Sequence, residues 1–189
     1  MSDAKSALPG ARYEGFVKLR EMGLQGMITL RGDLASAKLA AAVQTATGTA
    51  VPGQRQIVTE GDRAAAWMSP DELLLLVPYA EVTDIIAGIE TALAGEHFLA
   101  VNVSDARAMF RLEGALCRDA MAKLSPVDFS EAAFCPGDFR RSRMAQIAAA
   151  MWMPDAQSLQ VICFRSVAQY AFDLLSAAAA PGSEPRLYG

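Results

Sequence analysis

The stretch Trp67-Met68-Ser69-Pro70-Asp71-Glu72-Leu73-Leu74-Leu75-Leu76-Val77-Pro78 contains the one run of four leucines in this chain. A turn sequence precedes the five consecutive apolar residues, and a proline follows them. An apolar run this short between turn signals predicts a buried strand. In residues 79–94, apolar side chains recur at spacings of three and four, which predicts an amphipathic helix that ends at Gly95.

The same signature returns about 85 positions later as Trp152-Met153-Pro154-Asp155, which indicates an internal repeat. The turns Leu30-Arg31-Gly32 and Leu112-Glu113-Gly114 repeat at a similar distance, each between a predicted strand and a predicted helix. The predicted fold class is therefore α+β, with two similar βαββα halves packed together.

Turn residues and apolar patterns place the remaining elements. In the first half we predict strands at residues 27–30, 56–59 and 65–68, and a helix at 34–46 after a capping turn at Asp33. In the second half we predict strands at 98–103, 108–112, 144–153 and 159–164, and a helix at 115–124. Ser166 and Gln169 have the spacing of a capping box that opens the last helix.

The predicted domain organisation follows from this order. Residues 24–180 form a single α+β domain, made of halves over about 24–95 and 96–180. Residues 1–23 mix Ser, Pro and Gly with charges and are predicted to form a loosely held N-terminal arm. Residues 181–189 are predicted to form a frayed C-terminal tail.

Composition excludes several classes of protein. With 189 residues, 52% hydrophobic and 20% charged, the chain can bury a core without disulfides and is not disordered. Its net charge of −4 provides no basic field for nucleic acid or anionic lipid.

Targeting and redox signals are weak. The N-terminus lacks the apolar segment of a secretory signal, and the apolar stretches 73–77 and 144–153 are too short to span a bilayer. Cys117, Cys135 and Cys163 are odd in number and never in C-x-x-C spacing, which disfavours a disulfide framework or a zinc site. We predict a cytoplasmic protein with reduced thiols that binds neither nucleic acid nor membrane.

The sequence contains no recognisable catalytic constellation. His97 is the only histidine and is interpreted as a structural or surface residue, because no nearby side chains complete a metal cluster. Nucleophile motifs and glycine-rich phosphate loops are absent. Gly32 and Gly114 are interpreted as turn glycines, and Asp33 would repel a phosphate at the helix after Gly32. We predict no catalytic, cofactor-binding or metal-ligating residue in this chain.

Three further groups of residues have alternative interpretations. Arg140, Arg141 and Arg143 form either a solvated loop face or a contact surface for an acidic partner. Trp67 and Trp152 are interpreted as core residues rather than as a recognition surface. The segment Ser104-Asp105-Ala106-Arg107 is interpreted as a turn with an internal charge pair, and becomes a candidate site only beside a pocket.

Several motifs together resemble one known family. Five segments are similar to motifs of the gamma subunits of heterotetrameric sarcosine oxidase. They are Trp67–Val77, Val103-Ser104-Asp105-Ala106-Arg107, Phe110-Arg111-Leu112-Glu113-Gly114, Leu124-Ser125-Pro126-Val127-Asp128-Phe129 and Cys163-Phe164-Arg165-Ser166-Val167-Ala168-Gln169-Tyr170. The motifs follow the family's order between residues 26 and 180.

This resemblance implies a fold related to the folate-binding domain of the glycine-cleavage T-protein. It also implies a role in a complex that oxidatively demethylates sarcosine to glycine, releasing hydrogen peroxide and a one-carbon unit. Flavins, NAD, folate and zinc are then expected in the partner subunits, and no cofactor in this chain. Redox chemistry generally needs such a cofactor, so a non-catalytic assembly subunit is expected.

The implied partner is the large alpha subunit, with beta and delta as further candidates; self-association of the isolated chain stays open. One alternative is a stand-alone tetrahydrofolate- or one-carbon-binding domain of the T-protein type. Glu113 is the carboxylate that a folate site would use first, although we interpret it as a solvent-facing turn residue. A structural homodimer without a partner is the third possibility.

Overall fold

The structure is a computed structural model that describes residues 4–188. Over this range the chain forms eleven β strands and four α helices. Their bounds are β1 (Arg12–Glu14), β2 (Lys18–Glu21), β3 (Gly26–Arg31), α1 (Ala37–Thr47), β4 (Ile57–Glu60), β5 (Arg63–Ser69), β6 (Glu72–Val77), α2 (Val82–Ala92), β7 (Leu99–Asn102), β8 (Arg107–Glu113), α3 (Cys117–Ala122), β9 (Phe139–Met144), β10 (Ile147–Asp155), β11 (Ser158–Phe164) and α4 (Ala168–Ala178).

These elements belong to two compact units. The central unit is Leu24–Ser104. The split unit combines residues 4–23 with residues 105–188. No helix in the described range is long and apolar enough to cross a membrane.

The central unit contains an antiparallel sheet with the strand order β4-β5-β6-β3-β7. Its middle strand, β6, is the leucine run, and all of its residues are buried. Leu73 and Leu75 share a hydrophobic cluster with Leu39 of α1 and Ile89 of α2. Each leucine buried in this way contributes about 1.5–3 kcal/mol to stability. The predicted buried strand and the amphipathic helix after it are confirmed.

Helix α1 begins at Ala37 rather than at residue 34. The Ala35 N–H donates to Asp33 Oδ1 at 2.9 Å, so Asp33 orders the turn before the helix. The N-cap is Ser36, whose Oγ accepts from the Leu39 N–H at 3.3 Å. A serine hydroxyl satisfies an N–H group that has no partner inside the helix, and this fixes the start of the helix.

The split unit contains an antiparallel sheet with the order β1-β2-β8-β11-β10-β9. Its core cluster joins Phe110 and Met151 of the sheet to Met121 of α3 and Leu175 of α4. The order β9-β10-β11-β8 in this sheet reproduces the order β4-β5-β6-β3 in the other. Along the chain, a helix follows the first strand of each set, β3 or β8, and another follows the last, β6 or β11. The α+β class and the internal repeat are therefore confirmed.

The repeated tryptophan motif marks an irregularity at the same place in each sheet. Pairing shifts register after Trp67 where β5 meets β6, and after Trp152 where β10 meets β11. In both turns a serine hydroxyl donates to the motif aspartate, to Asp71 at 2.6 Å and to Asp155 at 2.7 Å. The similarity in sequence thus corresponds to a register shift at the same place in each sheet, although Ser69 precedes its aspartate and Ser158 follows its own.

The strand predicted over residues 144–153 is present as β10, but it begins at Ile147, and the strand β9 before it was missed. The structure has a hairpin here, in which β9 pairs with β10 around a turn at Ala145, which has a positive φ of 50°. Each half therefore has the order βαβββα, one strand more than the predicted βαββα pattern, although each strand predicted individually for the first half is present. Strand β9 was missed because arginines occupy three of its six positions, and charged residues are uncommon in strands.

The prediction of a loosely held arm over residues 1–23 is also wrong for the described part. β2 pairs with β8, and β1 with β2. Val17 and Leu19 are each only 1% exposed. The charged residues of β2 alternate with buried ones, so the strand is too short and too polar to stand out in the sequence. Residues 1–3 lie outside the described residues.

The C-terminal segment 181–188 is held to α3 rather than frayed. The Leu187 N–H donates to Asp119 Oδ1 at 2.6 Å, and Lys123 Nζ donates to Ser183 Oγ at 2.8 Å. Residue 189 lies outside the described residues. The backbone hydrogen bond to the buried carboxylate of Asp119 and the side-chain bond from Lys123 order a segment that its sequence would leave flexible.

The predicted capping box is wrong as well. The N-cap of α4 is Val167, which makes no capping hydrogen bond through its side chain. Gln169 Nε2 instead donates to Asp173 Oδ1 at 2.8 Å, one turn along the helix. A 3-10 turn over Arg165–Val167 leads into α4, so Ser166 lies before the helix rather than at its cap.

Each sheet contains the strand that precedes the other half in sequence. β2 comes immediately before β3 but pairs with β8, while β7 comes immediately before β8 but pairs with β3. For this reason the unit boundary lies at Ser104 and not at residue 95.

Candidate protein interface

His97 is exposed and lies at an open cavity of about 570 Å³ in the central unit, which Arg31 and Asp71 also line. Arg31 Nη2 donates to Glu72 Oε2 at 2.8 Å. The hydrogen bond from Ser69 lowers the pKa of Asp71. Among the described residues, no three His, Cys, Asp or Glu side chains are close enough to hold a metal ion. The charged side chains of this cavity mainly bind their own neighbours.

The two turn glycines serve different needs, which are close packing at Gly32 and backbone geometry at Gly114. A Cβ at Gly32 would lie 2.9 Å from Leu39 Cδ1, which is closer than real Cβ contacts come. Gly114 has a φ of 138°, which other residues rarely adopt. Both glycines therefore serve the strand-to-helix turns, in agreement with their interpretation as turn residues.

The arginine cluster lies on strand β9 and not on a loop. Arg140 Nη1 donates to Asp138 Oδ1 at 3.2 Å, and its Nη2 donates to Ala133 O at 3.0 Å. The guanidinium also lies 5.6 Å from the centroid of the Phe134 ring. Arg140 thus anchors the loop before β9, while Arg141 and Arg143 are exposed at the edge of the sheet.

Glu113 and Arg111 of β8 form an ion-pair network that also reaches β2 and β10. Its Oε1 accepts from Arg20 Nη2 at 3.3 Å and lies 2.9 Å from Arg111 Nε. Arg111 Nη2 also donates to Asp155 Oδ2 at 3.3 Å. Exposed pairs of this kind contribute at most about 1 kcal/mol each. The carboxylate considered first for folate is therefore engaged with two arginines.

The segment that joins the two units begins with a buried structural serine. Ser104 Oγ accepts from the Met27 N–H at 2.9 Å and so ties the end of β7 to β3. A 3-10 turn covers Ser104–Ala106, which confirms the predicted turn. After it, the guanidinium of Arg107 lies 4.8 Å from the centroid of the Phe164 ring. These contacts fix the backbone at the chain crossing.

The two tryptophans differ in burial. Trp152 is 2% exposed and packs against Phe139, with ring centroids 5.9 Å apart. Trp67 is half-buried. The interpretation as core residues therefore holds fully for Trp152 and in part for Trp67.

Strand β7 has the most exposed apolar side chains of any strand in the central unit. Leu99 is 50% and Val101 38% exposed, and they point to the same face of the sheet because they are two positions apart. On the opposite face, Phe98 and Ala100 pack against the core under α2. Exposed apolar residues in a group mark a protein contact surface. We call residues 98–103 the β7 edge.

A shallow groove between α1 and α2 is the second exposed apolar feature of the central unit. It has a volume of about 390 Å³ and is lined by small residues, among them Ala41, Thr45, Gly88 and Ala92. Because these side chains are short, another backbone can approach the helices closely. Glu81 and Asp84 give one end of the groove negative charge.

The sequence reasoning predicted a strand over residues 98–103 but assigned it to the second half and gave it no function. The signal that could have identified it is the absence of charge from Phe98 to Val103, in a chain that is otherwise 20% charged. Whether a strand lies inside a sheet or at its edge depends on pairing, which a single sequence does not display.

The model of the sarcosine oxidase gamma subunit family matches residues 31–181 of the chain. A chain in the structure of heterotetrameric sarcosine oxidase from Corynebacterium sp. U-96 in complex with pyrrole 2-carboxylate superposes with a TM-score of 0.80 and 24% identity. The match covers 89% of this chain and 87% of that one. Glycine cleavage system aminomethyltransferase T from Bartonella henselae superposes with a TM-score of 0.62 and 10% identity, over 86% of this chain and 46% of that one. A search of curated protein sequences found no match. The two structures confirm the fold.

Proposed function

This chain belongs to the sarcosine oxidase gamma subunit family, and on that premise we propose that it is the gamma subunit of a heterotetrameric sarcosine oxidase. In this role it binds the large alpha subunit and contributes surface rather than catalytic side chains. The observation that carries the proposal is the family match over residues 31–181, which includes both halves of the repeat.

The β7 edge supports a role in assembly. An uncharged edge with Leu99 and Val101 exposed is unfavourable in water and becomes favourable when a partner covers it. Stable interfaces of obligate complexes bury more than about 2,000 Å² and are apolar at their centres. The α1–α2 groove in the same unit supplies further apolar surface.

We place the flavins, NAD, folate and zinc of the complex in its other subunits, and the complex itself in the cytoplasm. Two charged side chains, the folate candidate Glu113 and the partner-contact candidate Arg140, support this placement. Glu113 is engaged by Arg20 and Arg111, and Arg140 binds Asp138 and the loop before β9. A group engaged in this way would have to break its contacts before it could bind a cofactor.

The T-protein likeness has 10% identity and therefore shows the fold alone. A folate role has a direct test, which is calorimetric titration of the purified chain with tetrahydrofolate. We expect no binding heat. Saturable heat with one site per chain would favour the one-carbon-binding alternative.

Co-expression with the larger subunits of sarcosine oxidase tests the proposal itself. With an affinity tag on the alpha subunit, we expect this chain to co-purify in a constant ratio through affinity and size-exclusion steps. A chain that stays in the unbound fraction, folded and monomeric, would contradict the role in assembly. The matched control is the same tagged alpha subunit with an unrelated protein of similar size.

A further inference from the structure

The internal repeat gives β7 an equivalent in the other sheet, which is β2. At the end of β7 the Val103 N–H donates to Met27 O at 2.9 Å, and at the end of β2 the Met22 N–H donates to Met109 O at 2.9 Å. Met27 and Met109 hold the same position before the leucine of the repeated L-x-G turn. The two hydrogen bonds are therefore equivalent, and they fix the alignment of the two strands.

Under this alignment Ala100 corresponds to Leu19, and Asn102 to Glu21. In antiparallel pairing, the backbone groups of alternate residues point to the same side of a strand. Val103 bonds to β3, so Val101 and Leu99 also direct their backbone groups to β3. The N–H and C=O groups of Ala100 and Asn102 point away from the sheet.

In the split unit the equivalent groups are covered by β1. The Glu21 N–H donates to Ala11 O at 3.0 Å, and Tyr13 lies opposite Leu19 in antiparallel register. Tyr13 is half-buried and packs against the core of that unit. The repeat therefore shows which kind of element occupies the place beside such a strand: a short antiparallel strand with a large side chain at its centre.

The corresponding place beside β7 is filled by no strand among residues 4–188. The segments 4–23 and 181–188 belong to the split unit, so neither is available for it.

The other sheet edges carry features that oppose strand addition. β1 is only three residues long and contains Arg12 and Glu14. β9 carries its three arginines, and β4 ends with Glu60. Charged residues and short length are common protection for edge strands. β7 is also short, with four residues, but Leu99-Ala100-Val101-Asn102 has no charge and no proline, so β7 is the one edge strand in the described range without a charged residue.

We propose that an extended segment of a larger subunit of the complex adds to β7 as an antiparallel strand, in the place that β1 takes beside β2. Backbone hydrogen bonds to Ala100 and Asn102 hold the segment, as in other cases of β-strand addition. The residue opposite Ala100 is bulky and apolar, because Ala100 is small where Leu19 is large and Tyr13 lies opposite Leu19. This inference rests on the proposed function, since the partner is a subunit of the same complex.

A proline substitution can remove a hydrogen-bond donor from the outer edge of β7 without affecting the hydrogen bonds of β7 to β3. Ala100→Pro removes an N–H that points away from β3 and leaves the bonds to β3 intact, and prolines are tolerated at such positions. Thr59→Pro is the matched control on β4. The Trp67 N–H donates to Gln56 O at 2.9 Å, so by the same alternation the N–H of Thr59 also points away from its sheet.

Val101→Lys is the second variant, and it keeps the test valid if the proline variant fails to fold. Val101 is 38% exposed, so a lysine can extend into water in the free chain, and a charged residue on an edge strand opposes the addition of another strand. Thermal unfolding of each purified variant shows whether its fold is retained.

Each variant is co-expressed with the tagged alpha subunit and the other subunits, and the ratio of this chain to alpha is measured after purification. We expect Ala100→Pro and Val101→Lys to lower the ratio about tenfold or more, and Thr59→Pro to leave it unchanged. In hydrogen–deuterium exchange of the wild-type complex, the peptide over residues 98–103 becomes protected relative to the free chain, while the peptide over residues 57–60 does not.

The outcomes distinguish this inference from the proposed function. If wild-type chain fails to co-purify, the proposed function fails, and the inference fails with it. If wild type and both β7 variants assemble equally well, only the inference is overturned. If the free wild-type chain forms a dimer that Ala100→Pro abolishes, and the complex assembles without regard to the β7 variants, the occupant is a second copy and the inference is likewise overturned.

Discussion

Arg118 is a buried cation bound to two backbone carbonyl groups. It is 5% exposed, and its Nη1 donates to Phe129 O and Phe134 O, both at 2.6 Å. A buried charge is costly unless it is hydrogen-bonded, and charge-assisted hydrogen bonds are stronger than neutral ones. From α3, Arg118 therefore fixes the loop whose phenylalanines complete the core of the split unit.

Replacing Arg118 should destabilise the fold strongly. Arg118→Ala leaves two carbonyl groups without their donor and removes the anchor of the loop, so we expect a loss of about 2–4 kcal/mol in the free energy of unfolding. Urea denaturation followed by circular dichroism measures it. Arg143→Ala, at an exposed position of β9, is the matched control and should change stability by less than about 0.5 kcal/mol. Equal effects of the two substitutions would contradict this role.

The cysteines should differ in reactivity because only Cys135 is exposed. Burial raises the pKa of Cys117 and Cys163 to about 11, which keeps both thiols protonated at neutral pH. Iodoacetamide reacts with thiolates, so at pH 8 we expect labelling of Cys135 alone, with Cys117 and Cys163 labelled only after unfolding. Mass spectrometry of labelled peptides measures this, and rapid labelling of Cys163 in the folded chain would contradict it.

The same thiols give the stability a pH dependence. Their pKa is raised in the folded state above the ordinary value of 9.0, so the unfolded chain loses these protons first as the pH rises. The contribution is fully present below about pH 9 and is lost as the pH rises towards 11. We expect Cys117→Ala/Cys163→Ala to lose less stability than wild type between these pH values in urea denaturation. Parallel losses would show that the thiols do not cause the dependence.

At the scale of elements, the predictions succeeded where apolar residues are consecutive or follow a helical period. The leucine run β6 has consecutive apolar residues, and helix α2 follows the helical period. The tryptophan motif indicated the repeat. Strands β2 and β9 have neither, because charged side chains occupy their exposed positions. The partner of β2, which is β8, is distant in sequence, and such pairing cannot be derived from local pattern. β9 pairs with the neighbouring β10, but its residues lack the apolar alternation that predicts a strand.

Strand β2 should contribute to stability as a core strand does. Leu19 is 1% exposed, and Leu19→Ala should cost about 2–4 kcal/mol through lost burial and the cavity that remains. Leu24→Ala, close by in sequence but 41% exposed, is the matched control and should cost less than about 0.5 kcal/mol. Thermal and urea unfolding compare the two, and a loosely held arm would show no difference between them.

For the whole molecule, the fold class was predictable because it depends on a repeat visible in the sequence. The candidate interface was not. The exposure of Leu99 and Val101 depends on β7 being the last strand of its sheet, and this follows from the exchange of β2 and β7 between the two halves. The ionic partners of Glu113 and Arg140 could not be predicted from the sequence either, since the fold and not a local motif brings them together.

Native mass spectrometry of the reconstituted complex is the sharpest test of whether this chain acts by joining larger subunits. The larger subunits are measured before and after addition of the purified chain, which has a mass of 20.1 kDa. We predict an assembly whose mass rises by one copy of this chain and that retains it at nanomolar dilution. If the larger subunits keep their mass and the chain stays at 20.1 kDa, the claim is contradicted.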